Sequence, residues 1–133
     1  MERTAYHRYM YRVAAVWNWI LSLSFLILPR IDIAYFSIAG PMAPPPTLLW
    51  FDCFFGLTIA FGLGFYIISR STTENHGLIE IAIFEKAWVF VIGLYYFLIA
   101  QASIWVLVVV SGDLLFGILF LEDLRSIMKS TTK

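Results

Sequence analysis

Four ionisable residues lie inside long apolar stretches of this sequence: Asp52, Glu85, Lys86 and Asp113. A charge near the centre of a bilayer costs about 2.5–3.5 kcal/mol on insertion scales, so such residues turn inward and find partners. Two kinds of chemistry are open to them. Opposite charges on neighbouring helices can close into an ion pair that fixes helix register. Alternatively, the carboxylates can line a polar cavity and take up a proton, a cation or a ligand. Three acids face one base here, which leaves two carboxylates without a cationic partner and keeps the second reading open.

Depth decides which of these groups can meet. A helix rises about 1.5 Å per residue, so Lys86, eight residues beyond Leu78, and Asp113, eight residues before Leu121, each lie about 12 Å from the same end. The arithmetic predicts a Lys86–Asp113 ion pair across antiparallel helices. Glu85 is about 10 Å deep, close enough to turn toward the headgroups. Asp52 is five residues past Thr47, about 8 Å below the opposite surface and out of reach of that pair. Asn18, Asp52 and Glu85 are the candidates for a polar cavity. The bland alternative is a latch that holds two helices together.

These residues need helices to carry them. Hydrophobic residues make up 61% of the 133, aromatic ones 18% and charged ones 14%. An ordinary soluble domain has about 45–50% apolar and 25% charged residues, so this composition, with a mean hydropathy of +0.82, belongs to the membrane class. Crossing about 30 Å of hydrocarbon takes about 20 helical residues. The apolar stretches at 13–28, 47–69, 78–100 and 103–121 predict a single domain over 1–133, an all-α antiparallel four-helix transmembrane bundle. The first helix is expected to start near Thr4 and to stop at Pro29, and Pro44-Pro45-Pro46 sets the start of the second. Gln101-Ala102 alone separates the last two, which predicts antiparallel neighbours.

Orientation follows from the basic residues. Arg3, Arg8, Arg12, Arg70, Arg125, Lys129 and Lys133 fall on one side and Arg30 alone on the other, seven against one. Cytoplasmic loops carry the excess, so both termini are expected in the cytoplasm. Tyr6, Tyr9, Tyr11, Trp17 and Trp19 are expected at the inner interface, and Trp50, Tyr95, Tyr96 and Trp105 at the outer one. Eleven residues separate Leu28 from the end of Ser37-Ile38-Ala39, long for a cleavage region, so the first span reads as an uncleaved anchor in a bacterial inner membrane. The apolar stretch from Ile31 to Ile38 predicts a short interfacial helix.

Helices in lipid associate through small residues and polar contacts. Gly56, Ala60 and Gly64 form such a stripe on the second span, with Asp52 one step earlier, and this predicts a packing seam that aims Asp52 at a partner helix. Asn18 and Ser22 form a polar pair at i,i+4 on the first.

Several classes find no foothold. Nine basic residues balance nine acidic ones, so nucleic acid has no basic surface to bind. The single cysteine, Cys53, excludes an intramolecular disulfide and reads as a packing residue. His7 and His76 both fall at the cytoplasmic face and could approach each other, but without company they make a thin metal site, and no cofactor is expected. No serine has a histidine partner inside the membrane and no glycine-rich loop precedes a lysine for phosphate, so hydrolase and nucleotide-binding chemistry are excluded.

From Phe51 onward the chain resembles a widespread family of small bacterial four-helix inner-membrane proteins for which no activity is assigned. Phe51-Asp52, Gly62-Leu63-Gly64-Phe65-Tyr66, Lys86 and Asp113-Leu114 carry the resemblance, and Asn18 fits it more loosely. Asp52 stands where that pattern has an uncharged amide, and Glu85 is an added acid beside the lysine. Size and topology are also similar to DoxX-like proteins. The expectation for function is a non-catalytic accessory or structural subunit of a larger membrane complex, or a homo-oligomer, in contact with lipid. A small transporter or binder of a lipophilic ligand or proton is the alternative, and a membrane isomerase with a buried acid pair the third reading.

Overall fold

A computed structural model describes residues 3–131 apart from Met42. Four long helices, α1 (Arg3–Ile31), α2 (Leu49–Arg70), α3 (His76–Leu98) and α4 (Ile104–Thr131), are packed in pairs, α1 on α2 and α3 on α4. Lys133 and the side chain of Arg3, two of the expected orienting charges, lie outside the described residues.

Among the described residues, three stretches are long and apolar enough to cross a membrane: Ala5–Ile31, Leu49–Arg70 and Ile104–Lys129. The expected span at 78–100 corresponds to α3, which is outside that set and carries Glu80, Glu85 and Lys86 in its first half.

Two helix ends differ from expectation. Pro29 does not stop α1, which runs on to Ile31. Proline removes one N–H, but near a C-terminus the loss is a single bond. The last turn is held instead by the Asp32 N–H on the Leu28 carbonyl at 3.0 Å and by the Arg30 guanidinium on the Leu26 carbonyl. Likewise α4 continues well past Leu121, which brings Glu122 and Asp123 into the fold.

Beyond α1 the chain forms a short 3-10 helix, Ile33–Ile38, within the stretch where a short interfacial helix was expected. Asp32 caps it by accepting from the Ala34 N–H at 2.9 Å, satisfying a donor that the first turn leaves free. Phe36 packs on Phe51 of α2 at 4.8 Å between ring centroids. The carbonyl of Ala39 accepts from the Ser103 N–H at 2.8 Å, which fastens this loop to the α3–α4 link. At Gly40 a Cβ would lie 2.6 Å from the Gln101 carbonyl oxygen, so only glycine allows this approach.

The core sits toward the end that bears both termini, where Met10, Tyr11, Ala14, Phe65, Ile68, Ile79, Phe120 and Leu124 are buried together. Tyr11 is therefore not an interfacial aromatic: its ring stacks on Phe120 at 4.6 Å. Trp17 and Trp19 also turn inward, the former against Phe116 and the latter donating to the Ile59 carbonyl at 3.3 Å. Trp50 and Trp105 remain largely exposed.

The stripe Gly56, Ala60, Gly64 does not form a seam inside this chain. Gly56 and Ala60 are exposed, and a Cβ on Gly56 or Gly64 would meet nothing within 4 Å. Bulky neighbours turn the opposite face of α2 inward, so close approach falls to other glycines. Gly62 lies against the Trp19 ring, and Cβ atoms at Gly93 and Gly112 would lie 2.7 Å from Val110 and 3.0 Å from Trp17.

This division predicts the outcome of an alanine series followed by thermal unfolding in detergent. Gly93→Ala and Gly62→Ala should destabilise by about 1–3 kcal/mol through overpacking. Gly56→Ala and Gly64→Ala should change stability by less than about 1 kcal/mol.

Candidate functional site: the buried lysine

Lys86 lies on α3 with its side chain 1% exposed. Its position, ten residues past His76, carries it into the interior, where Gly117 of α4 leaves room: a Cβ there would sit 3.2 Å from Lys86 Cβ. Three ammonium hydrogens need acceptors in a place where water is scarce. Nζ donates to Asp113 Oδ1 of α4 at 2.5 Å and to Asn18 Oδ1 of α1 at 2.7 Å. Glu85 Oε2 is 3.4 Å from the same nitrogen. The Phe65 ring of α2 lies 5.1 Å from Nζ, within reach of a cation–π attraction. One residue from each of the other three helices thus meets this single ammonium.

Asn18 is held from both sides. While its oxygen accepts from Lys86, its Nδ2 donates to the Thr58 carbonyl of α2 at 3.3 Å. The residue therefore links α3 to both members of the first helix pair. Ser22, one turn further on, is fully buried and its Oγ has no hydrogen-bond partner. Of the polar pair at i,i+4, Asn18 alone makes the interhelical bond.

Asp52 belongs elsewhere. It was expected to lack a cationic partner and to join a cavity with Asn18 and Glu85; instead it pairs with Arg30 at 2.7 Å on the loop side of the bundle. Arg30 reads in the sequence as a loop charge, yet α1 runs two residues beyond Pro29 and includes it, and its guanidinium reaches Asp52 in the first turn of α2. Both side chains are more than a third exposed, 49% and 38%.

Glu85 stays by the lysine rather than leaving the bundle, its side chain 10% exposed. Its Oε2 is buried and has no hydrogen-bond partner. The two histidines are not brought together, because both ring nitrogens of His7 face carboxylates of α4. Cys53 is exposed rather than packed.

An apolar groove of about 200 Å³ runs between α2 and α3, bordered by Ala60, Phe61, Gly64, Phe65, Leu78 and Ile81. No carboxylate lines it. Lys86, Glu85 and Asp113 thus lie outside this groove.

The geometry makes a double-mutant test decisive for the energetics of the site. Asp113→Leu alone leaves a buried ammonium short of its counter-charge and should cost about 3–5 kcal/mol, whereas Lys86→Met with Asp113→Leu should recover most of that loss. Arg30→Ala at the exposed pair should cost less than about 1 kcal/mol. Reversible unfolding in mixed detergent measures all of these.

No family model, curated protein or solved structure matches this chain.

Proposed function

We propose that this chain is a four-span bacterial inner-membrane protein, with both termini in the cytoplasm, that serves as a non-catalytic structural subunit of a larger membrane assembly. The observation that carries this reading is the closure of Lys86 on Asp113, Asn18 and Phe65, because a charge satisfied by three other helices is directed to holding them rather than to a substrate. Support for α3 as the fourth span comes from the same pair. A helix packed along α4 with Lys86 against Asp113 shares the depth of α4 in the bilayer. Arg8, Arg12, Arg70, Arg125 and Lys129, all at one end, support the orientation. The resemblance to small four-helix inner-membrane proteins supports the setting. The face of α2 bearing Gly56, Ala60 and Gly64, left open by the chain's own helices, adds weight to an assembly role, since small residues let a further helix come close.

Glu85 favours a second reading. Its buried Oε2 makes no hydrogen bond, so a carboxylate remains beside the lysine for a proton or a lipophilic cation. Under this reading the chain is a small binder or transporter.

One preparation separates the two. On gentle extraction from the native membrane, a structural subunit comigrates with a large complex, and Glu85→Gln leaves that complex intact. Recovery as a free monomer or dimer, with proton uptake into reconstituted vesicles that Glu85→Gln abolishes, would replace the structural reading by the second.

A further inference from the structure

Past the end of its apolar stretch at Leu121, α4 stays helical to Thr131. On this extension Glu122, Arg125, Ser126 and Lys129 border a surface depression of about 320 Å³. Residues three and four apart on a helix share a face, so Arg125 and Lys129 stand one turn apart with Ser126 beside them. Both cations are exposed, and neither forms an ion pair with a described carboxylate. Glu122 brings one negative charge to the rim, its Oε2 lying 3.0 Å from His7 Nε2. Two cations against one acid leave the depression positive.

Such a lining suits a phosphate. A guanidinium offers a planar fork to its oxygens, an ammonium adds a point charge, and a hydroxyl supplies one more donor. The same end of the bundle carries Arg8, Arg12 and Arg70, all exposed, which raises the attraction for anionic headgroups.

Depth assigns the phosphate to a lipid. Arg125 is four residues past Leu121 and Ser126 five, about 6 and 8 Å at the helical rise. Headgroups occupy about 5–8 Å beyond each face of the hydrocarbon, so these two side chains stand among them. Lys129 starts about 12 Å out. Cα–Cβ bonds tilt toward a helix's N-terminus, and that of α4 lies across the membrane, so the Lys129 side chain leans back toward the bilayer. The face continues into the hydrocarbon as Ile118 and Leu115, which keep the alternating three- and four-residue spacing from Glu122 and are 56% and 57% exposed.

We propose, resting on the four-span reading above, that this face of α4 binds an anionic phospholipid. Arg125, Ser126 and Lys129 hold its phosphate, and an acyl chain lies along Ile118 and Leu115.

The test offers the full chain, in neutral detergent, equal amounts of phosphatidylglycerol and phosphatidylcholine and reads the retained lipid by native mass spectrometry. Phosphatidylglycerol should be retained in preference. Arg125→Gln with Lys129→Gln should lower its affinity about 25-fold, about fivefold for each cation. Arg12→Gln with Arg70→Gln removes as much charge from the same end but leaves the depression whole, and should keep most of the affinity. Inorganic phosphate should not displace the lipid, because it lacks the acyl chains. Equal retention of the two lipids, the same loss in both double variants, or displacement by inorganic phosphate would overturn the proposal. Reconstitution distinguishes this failure from that of the four-span reading: a chain that enters nanodiscs yet retains both lipids equally defeats the lipid site alone, whereas one that enters nanodiscs of neither lipid defeats the spans and the site together.

Discussion

An ammonium group with 1% exposure inside an apolar bundle constrains everything around it. Lipid offers helices no hydrophobic reason to prefer one another over the surrounding tails. A buried charge supplies the missing preference, since any arrangement that leaves it unpaired is strongly disfavoured. Lys86 draws its contacts from Asn18, Phe65 and Asp113, one on each of the other helices. The depth of α3 relative to α4, the rotation of α1 and the face that α2 turns inward are therefore bound to a single point. This matters most between α2 and α3, whose direct packing is sparse and leaves the apolar groove beside Phe65.

The two ends of the bundle solve the joining problem differently. At the loop end, aromatic rings fill the space between α1, α2 and the 3-10 helix: Phe25 stacks on Phe55 at 5.2 Å, and Phe36 and Phe51 are in contact. The Arg30–Asp52 pair closes that end at the surface, where screening keeps its energetic weight small. At the other end, α1 meets α4 through Tyr11, Phe120 and the polar contacts of His7, so burial and hydrogen bonding act on the same residues. Between them, Gly112 lets Trp17 of α1 approach α4, and Gly62 lets Trp19 approach α2.

How much of this was legible in the sequence depended on whether a property is one-dimensional. Apolar run length and helix rise gave the helices and the depth of each charge, and depth relates Lys86 to Asp113 because their helices are antiparallel and joined by a short link. Rotation about a helix axis was not legible from spacing alone. The stripe Gly56, Ala60, Gly64 marks a real face of α2, but large side chains elsewhere on that helix, Phe65 and Ile68 among them, decided which face turned inward. Helix ends were the other loss. Treating Pro29 as a stop hid the Arg30 partner of Asp52, and ending the last span at Leu121 placed Glu122 and Asp123 outside the fold. A signal for the latter existed: His7 and Tyr11 share a face at i,i+4, a polar pair that needed a polar answer from another helix.

The separation of charge from open space bears on what kind of molecule this is. A ligand site in a helix bundle joins a cavity to a few convergent polar groups. Here the groove is bordered by apolar side chains, while Asp113, Asn18 and Asp52 each have a protein partner. Among the described residues Glu85 Oε2 and Asp52 Oδ1 are the buried carboxylate oxygens left without a hydrogen bond, and Glu85 sits beside the lysine rather than in the groove. Buried ion pairs contribute more to specifying an arrangement than to stabilising it. In this bundle the charges around Lys86 specify the packing of its own helices, while the stripe Gly56, Ala60, Gly64 makes no close contact with them.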